Sequence, residues 1–288
     1  MTTVEDALAS ATALGLDGRG RFRAPFALQS WPGIVHGGAL VAILDVAAQR
    51  LGPVHGAHLL EGRLTASVPL DTELELEGSA GEGVIAVSVA QDRSPLTSLT
   101  VRALAGDLAP PPTAWPTHTG LLVPGSEYCL VCGDANELGL RVRPRLDEEG
   151  VWARVSPGPP WVGRSGALHR ALAPVLLDEV AWWLGAITMQ AGGLTNRISL
   201  SVSRATFPAG GPLIASGRFA DVTPVDRRRA FWRTVSSLRT LEGQPLATAT
   251  IVFRGGVDYS ARQMPHLRAR CAPGVFERMF PALASAGG

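Results

Sequence analysis

The sequence contains no lysine, and all 26 of its basic residues are arginine. This absence excludes mechanisms that need a lysine, such as a Schiff base, a phosphate-binding loop or a Ser-Lys pair. The formal net charge is only +1, so bulk charge does not favour a nucleic acid or an anionic membrane as a partner. We therefore expect a small-molecule substrate and no nucleic acid.

Cysteines and long apolar runs are also scarce. Cys129, Cys132 and Cys271 are too few, and odd in number, for a disulfide framework. No apolar run approaches the ~18 residues that a membrane span needs. The acidic start of the chain is unlike a secretory signal. We expect a cytoplasmic protein without a membrane span.

What the chain has in quantity is apolar material. Hydrophobic residues make up 46% of it and charged residues 18%, which is enough to bury a sizeable core. At about 150 residues per domain, a length of 288 residues indicates two domains or one large domain.

A segment that runs from a histidine to an aspartate nine residues later occurs twice. The first copy spans residues 36–45 and the second residues 169–178, an offset of 133 residues. Two flanking segments recur in the same order, 63–68 with 197–202 and 95–101 with 245–251. We interpret the chain as two copies of one module.

The repeat and the distribution of proline define the domains. We predict a first module, a proline-rich linker, a second module and an irregular tail with one short helix near 275–280. Their boundaries are 1–105, 106–125, 126–256 and 257–288.

Within each copy the pattern predicts one helix of about 15 residues among several strands. A strand precedes the helix, at 22–28 in the first copy and 139–145 in the second. In the first copy the strands after the helix are predicted at 62–68, 74–79, 84–91 and 96–104. One apolar helix against a run of antiparallel strands is an α+β layer in which the sheet wraps the helix.

Two segments resemble a known family. Residues 31–38 (WPGIVHGG), followed by Leu44 and Asp45, resemble the hotdog-fold acyl-CoA thioesterases, notably the phenylacetate-type branch. Residues 129–133 (CLVCG) are similar to a segment of thioesterase-like proteins. The resemblance covers residues 20–105 and 126–256. It implies a double hotdog, in which two modules dock as a pseudo-dimer with a continuous sheet, and it implies hydrolysis of an acyl-CoA or acyl-carrier thioester.

The chemistry at the start of the predicted helix supports that activity. A helix amino end presents unpaired N–H groups and a partial positive charge, which stabilise an oxyanion. Gly37 and Gly38 have no Cβ, so a substrate can approach the backbone. Asp45 is the nearest helix carboxylate, but eight residues from Gly37 span about 12 Å. The Gly37 amide must therefore work with a carboxylate from another helix.

The second module supplies that carboxylate as Asp178, with Glu179 beside it. A pseudo-twofold axis would create two half-sites, one joining Gly37 to Asp178 and the other joining the amides at Arg170 and Ala171 to Asp45. Arg170 stands where the family pattern has glycine, and its side chain should crowd the acyl path and pair with Asp45. We predict that the Gly37/Asp178 site is active and that the other is lost or repurposed.

The resemblance also implies an asparagine or glutamine about six positions before the histidine, to orient water or the carbonyl. That position is Ser30, which departs from the family pattern, and Gln29 is adjacent. Gln29 fits the role if the loop is shifted by one residue, so both side chains are candidates.

Other candidate substrate-binding residues have simpler alternatives. His36 and its counterpart His169 either contact substrate or only hydrogen-bond the loop that starts each helix. Trp182 and Trp183 form either a pocket wall or part of the core. Arg228 and Arg229 suit either a clamp for coenzyme A phosphates or a solvated turn.

The Cys129–Cys132 pair would suit half a zinc site or a redox pair. Only Cys271 remains as a further thiol, so we expect the pair to serve packing, with no metal site. No cofactor is expected beyond coenzyme A as part of the substrate.

Two other functions stay open. One is a non-catalytic acyl-CoA-binding protein. The other is a hotdog dehydratase or acyl-transfer enzyme of a biosynthetic pathway, although the histidine patterns of the hydratase and dehydratase branches are missing. The exposed faces of such modules also favour a homodimer.

Overall fold

A computed structural model describes residues 2–15, 17–106, 108, 120–227 and 230–284. Two long central helices dominate it, and four shorter helices lie near the ends of the chain. The helices are α1 Val4–Ser10, α2 Gly37–Leu51, α3 Leu172–Met189, α4 Val257–Arg268, α5 Val275–Met279 and α6 Pro281–Ala284.

The strands of the described part form one sheet in which every pair is antiparallel. The first-half strands are β1 Thr12–Leu14, β2 Arg19–Phe22, β3 His58–Leu64, β4 Leu74–Gly81, β5 Val84–Gln91 and β6 Ser94–Ala103. The second-half strands are β7 Leu121–Leu122, β8 Arg145–Leu146, β9 Gly150–Val155, β10 Gly193–Val202, β11 Leu213–Arg218, β12 Thr223–Pro224, β13 Phe231–Thr240 and β14 Pro245–Gly255.

The two halves share one topology. In the first, the strand order is β2-β4-β5-β6-β3 and α2 packs on these strands. In the second, the order is β9-β11-β13-β14-β10 and α3 packs on them. Each strand of one series occupies the place of its sequence counterpart in the other. The predicted α+β architecture and the predicted repeat are both confirmed.

The halves join edge to edge through β3 and β10. Arg63 pairs directly with Arg197, the residue that the sequence repeat aligns with it. Residues related by a twofold axis face each other in this way only beside the axis, so the pseudo-twofold passes near this pair. Leu60 opposite Leu200 buries the junction, since both side chains are almost fully covered.

Helix α2 begins where the sequence predicts it. The ring of His36 lies at the N-cap position, and ten of the eleven residues from Gly38 to Ala48 are buried, Val46 being partly exposed. A Cβ at Gly38 would overlap the carbonyl oxygen of Pro174, which lies in the first turn of α3. The two central helices therefore meet closely at their amino ends.

Helix α3 is long and apolar enough to cross a membrane by length and composition, and the sequence interpretation did not expect such a segment. In the structure 78% of that window is buried inside the protein. Its apolar length is that of a core helix, surrounded by the second-half strands.

Several predicted strand boundaries are wrong. The strand predicted at 22–28 is β2, which ends at Phe22, followed by a 3-10 turn at Phe26–Leu28. The strand predicted at 62–68 is β3, which ends at Leu64. Beyond it the N–H groups of Thr65 and Ala66 both donate to the Leu96 carbonyl, so the regular pairing with β6 stops there.

The strand predicted at 139–145 is also wrong, since the counterpart of β2 is β9. Leu140 and Val142 alternate as strand residues do, but their N–H groups donate to the carbonyls of Leu130 and Val131 in a loop. Their periodic burial comes from packing on this loop and not from the sheet.

The predicted linker falls largely on residues 107 and 109–119, which lie outside the described residues. The predicted irregular tail is mostly helical, as α4, α5 and α6. Gln263 ties α4 to the sheet: its Oε1 accepts from Gly193 N–H at 2.9 Å and its Nε2 donates to the Gly193 carbonyl at 3.2 Å. This buried amide pairing explains why a polar segment is ordered there.

A candidate active site between the two halves

An open pocket lies where the amino end of α2 meets α3; with the solvent space at its mouth it measures about 950 Å³. Both halves contribute to its lining: Gly37 and His36 from the first, Asp178, Glu179 and Thr195 from the second. The sequence predicts this meeting of one module's helix start with the other module's carboxylates. The catalytic roles of these residues remain predictions.

The backbone donor that holds the Asp178 carboxylate is Gly38, the residue after the predicted oxyanion donor Gly37. Gly38 N–H donates to Oδ2 of Asp178 at 2.9 Å, whereas Gly37 N–H has no hydrogen-bond acceptor among the described residues. A Cβ at Gly37 would lie 2.7 Å from the same Oδ2. Gly38 thus holds the carboxylate, while the Gly37 amide lies at the pocket with its donor unused.

Asp178 is held from three directions. Besides Gly38, the hydroxyl of Thr195 donates to Oδ1 at 2.5 Å, and Nδ1 of His36 lies 3.5 Å from Oδ2. Burial raises the pKa of Asp178, and the charge of His36 and the two hydrogen bonds oppose that rise. A carboxylate with a raised pKa is closer to neutrality, where a general base works best.

His36 lies between two carboxylates. Its Nε2 is 3.6 Å from Oε2 of Glu179, on the side opposite Asp178. Burial alone would lower the pKa of His36, but the interaction with Glu179 and the charge of Asp178 outweigh burial and raise the pKa to about 9. Neutral His36 would accept the Gly38 N–H at Nδ1 (3.1 Å). Protonated His36 donates from Nδ1 towards Asp178, and we take this form as the one present at neutral pH.

Tryptophans form one wall of the pocket. Trp183 Nε1 donates to Oε1 of Glu179 at 3.1 Å, and Trp182 Nε1 donates to the Gly193 carbonyl at 2.9 Å. The rings of Trp182 and Trp183 meet edge to face, and Trp31 stacks obliquely on Trp182 at 5.3 Å. Trp183 is buried and Trp182 partly buried, so these residues serve the core and the pocket wall together.

The two candidates for orienting water differ in position. Ser30 lines the pocket. Gln29 is buried, and its Oε1 accepts the N–H of Gly33 at 3.0 Å. The Gln29 side chain therefore stabilises the loop before α2.

The second half-site has the same plan with different chemistry. Ala171 N–H donates to Nδ1 of His169 at 3.2 Å, in the position where Gly38 N–H lies 3.1 Å from Nδ1 of His36. The Arg170 guanidinium lies 3.3 Å from Nδ1 of His58 and 3.4 Å from the Ser203 carbonyl. Within the described residues it makes no ion pair with Asp45 closer than 4.0 Å, contrary to the expected pairing.

Asp45 itself is buried beside this cluster. One carboxylate oxygen accepts from Nε2 of Gln49 at 3.0 Å, and the other has no partner among the described residues. Burial raises the pKa of Asp45, and the nearby charges of His58 and Arg170 oppose the rise. Asp45, His58 and Arg170 thus form a charged cluster at the position equivalent to Asp178 in the first half-site.

The sequence analysis did not identify three of the residues at this site. Thr195 follows Asp178 by 17 residues without a motif, and Tyr259 comes from the missed helix α4. Cys129 was assigned to packing, but its Sγ, a ring nitrogen of His36 and a carboxylate oxygen of Glu179 all lie within 4.8 Å of one another. These three could hold a metal ion. Arg228 and Arg229, the proposed phosphate clamp, lie outside the described residues.

No family model and no curated protein matches the sequence. Solved structures match most of it. A conserved protein of unknown function with hot dog fold from Alicyclobacillus acidocaldarius has a TM-score of 0.60 at 14% identity, over 88% of this chain and 98% of its own. The acyl-CoA thioesterase II TesB2 from Mycobacterium marinum has a TM-score of 0.59 at 13% identity, over 88% and 96%.

A third match is the dehydratase domain of RzxB from Pseudomonas fluorescens, with a TM-score of 0.56 at 17% identity, over 84% of this chain and 96% of its own. Identities this low establish a shared fold.

Proposed function

Because this chain has the hotdog fold, we propose that it is an enzyme that hydrolyses an acyl thioester, with acyl-coenzyme A as substrate. One observation carries the proposal. An unused amide at a helix amino end, Gly37, and a buried carboxylate from the other half, Asp178, line the same pocket. An electrophile-binding donor and a base are the two elements that thioester hydrolysis needs.

In the first step the thioester carbonyl oxygen accepts the Gly37 N–H. The positive end of the α2 dipole stabilises the charge that develops on this oxygen. Asp178 takes a proton from water as the water oxygen attacks the carbonyl carbon. Thr195 and Gly38 hold the carboxylate in place, so its orientation needs no reorganisation during attack.

In the second step the tetrahedral intermediate collapses and the carbon–sulfur bond breaks. The proton held by Asp178 passes to the leaving thiolate, which departs as coenzyme A. The products are a carboxylic acid and a thiol, and Asp178 returns to its starting state.

The acyl group lies against the tryptophan wall. Trp31, Trp182 and Trp183 offer aromatic faces, and Leu40 and Leu64 add aliphatic surface. We propose an aromatic or medium-length aliphatic acyl group, because its burial against these side chains would contribute most of the binding free energy.

Matched substitutions of the two equivalent aspartates, Asp178 and Asp45, test the proposed base. Asp178→Asn keeps the shape of the side chain and removes the base, so we expect kcat to fall by about 10²–10⁴-fold. Asp45→Asn makes the equivalent change in the crowded half-site and should alter kcat less than about twofold. Released coenzyme A is quantified by chromatography over a panel of aliphatic and aromatic acyl-CoA substrates.

Both variants need unchanged circular dichroism for the comparison to hold. An Asp178→Asn enzyme with wild-type turnover would overturn the assignment of the base. Tight acyl-CoA binding by the wild type without any release of thiol would identify a binding protein instead.

Dehydration of a hydroxyacyl thioester is a second candidate. The 3.5 Å approach of His36 to Asp178 in the pocket favours it, because removing water needs one acid and one base. A hydroxyacyl-CoA substrate separates the two reactions: hydrolysis releases thiol, whereas dehydration forms a conjugated double bond at constant thioester.

A further inference from the structure

Three ligand-type side chains converge beneath the amino end of α2. His36 precedes that helix, Glu179 lies in α3, and Cys129 lies in the loop that follows β7. All three are buried, and their ligand atoms lie within 4.8 Å of one another. Segments far apart in sequence therefore bring together a nitrogen, a sulfur and an oxygen donor, the donor set that zinc takes in proteins.

The spacing of these atoms is wider than hydrogen bonding requires. Nε2 of His36 and Oε2 of Glu179 are 3.6 Å apart, beyond the 2.7–3.2 Å of an N–H···O hydrogen bond. Zinc bonds of about 2.0–2.1 Å at a tetrahedral angle place two such ligands about 3.4 Å apart. The separation of these two atoms is therefore close to that of two ligands on one zinc ion.

Each of the three side chains is also oriented by a second partner. Asp178 Oδ2 lies 3.5 Å from Nδ1 of His36, and Nε2 is directed at Glu179. With Nε2 on a metal, Nδ1 would carry the proton and face Asp178, and the Gly38 N–H would donate to Asp178 alone. Trp183 Nε1 binds the other oxygen of Glu179 at 3.1 Å, and Val131 N–H donates to Cys129 Sγ at 3.3 Å. A carboxylate behind a histidine is the arrangement that orients zinc ligands.

The Cys-x-x-Cys pairing does not by itself explain this arrangement. Cys132 Sγ accepts the N–H of Ser126 at 3.4 Å. A disulfide would need only the two thiols, whereas Cys129 is also grouped with a histidine and a glutamate. His36, Cys129 and Glu179 all line the pocket, so a bound metal would face it. Three protein ligands and an open position characterise catalytic zinc sites.

We propose that Nε2 of His36, Sγ of Cys129 and a carboxylate oxygen of Glu179 bind one Zn²⁺, with the fourth position open to the pocket. The proposal goes beyond thioester hydrolysis and does not rest on it, because metal binding is measured without substrate. Asp178 is the positioning residue for His36 in this site.

The test is zinc binding by chelator-treated, reduced protein. Titration against a chromophoric chelator should show one equivalent of Zn²⁺ per chain for the wild type. Cys129→Ala should weaken zinc binding more than 100-fold, and Asp178→Asn by about 10–100-fold. Cys271→Ala, which removes the thiol outside this group, is the matched control and should bind zinc as the wild type does.

Cobalt(II) gives a readout that does not depend on affinity alone. Cobalt-loaded wild type should show thiolate-to-cobalt charge-transfer absorption, which Cys129→Ala abolishes and Cys271→Ala retains. His36→Gln and Glu179→Gln extend the test if Cys129→Ala does not fold. Sub-stoichiometric zinc in the wild type, or equal affinity in Cys129→Ala, would overturn the proposal. A readily formed Cys129–Cys132 disulfide with no zinc uptake after reduction would also overturn it.

Discussion

At the residue scale, the two glycines that begin α2 have different reasons to lack a side chain. A Cβ at Gly37 would press on the Asp178 carboxylate, and a Cβ at Gly38 would overlap the backbone of Pro174. The first contact is with the proposed base, the second with the other central helix. The missing side chain of Gly37 therefore leaves room for Asp178, and that of Gly38 lets the two central helices pack closely.

This difference predicts opposite outcomes for two alanine substitutions. Gly37→Ala should displace Asp178 by a few tenths of an ångström or more and lower kcat/KM by about 10–100-fold with little loss of stability. Gly38→Ala should lower the free energy of unfolding by about 1–3 kcal/mol, because the helices must separate. Kinetics and urea unfolding of both variants check this. A Gly37→Ala variant that unfolds easily but keeps its activity would contradict the assignment.

His36 carries a pH dependence of known sign. Its pKa rises from 6.5 to about 9 on folding, so its contribution to stability is complete below pH 6.5 and is lost as the pH rises through 9. The shift is worth on the order of 3 kcal/mol. With a chelator present to keep the protein free of metal, the wild type should therefore have a higher free energy of unfolding than His36→Gln at pH 6.5. That difference should disappear as the pH rises through 9.

His58 provides the matched control for that measurement. Burial and the charge of Arg170 lower the pKa of His58 although Asp45 opposes them, so protonating His58 costs stability as the pH falls below 6.5. In His58→Gln the free energy of unfolding should therefore fall less steeply below pH 6.5 than in the wild type, and its dependence on pH above 6.5 should be unchanged. If the free energy of unfolding fell equally with pH above 6.5 in the wild type and in His36→Gln, His36 would not be charged in the folded protein.

At the element scale, helices and strands with local signals were predictable and the others were not. The structure places α2 at Gly37 and β5 at Val84–Gln91, as predicted, because a capping histidine and strict alternation are local features. Strand β9 and helix α4 lack such signals. These elements are stabilised by partners distant in sequence, as when Gly193 of β10 donates its N–H to Gln263 of α4.

The same distinction applies to the site. The repeat implies a pseudo-twofold axis, and the axis implies that Asp178 faces the start of α2, so this meeting was predictable. Cys129 was not, because its position depends on the path of its loop. Leu130 N–H donates to the Gln29 carbonyl at 2.8 Å, and Asn136 donates to the Ala27 carbonyl at 2.9 Å. Such contacts between the two halves produce no periodic pattern of residues from which they could be predicted.

At the scale of the whole molecule, the two copies have divided one symmetric arrangement into unlike sites. The first half supplies the helix start with its unused amide, and the second supplies Asp178, Glu179 and Thr195. In the symmetric position, Arg170 and His58 lie beside Asp45. Duplication within one chain allows this division, which two identical subunits could not make.

Fragments of the chain test this division of labour. Residues 1–106 and 120–288 expressed separately should each lack thioesterase activity, because neither contains both Gly37 and Asp178. Expressed together, they should associate through β3 and β10 and recover most of the activity, since the buried Leu60–Leu200 junction needs no covalent link. Ile198→Arg, placed in the buried face of β10, should block this recovery. Activity of fragment 1–106 alone would mean that Asp45 of a second copy replaces Asp178, and the assignment of the active half-site would then be wrong.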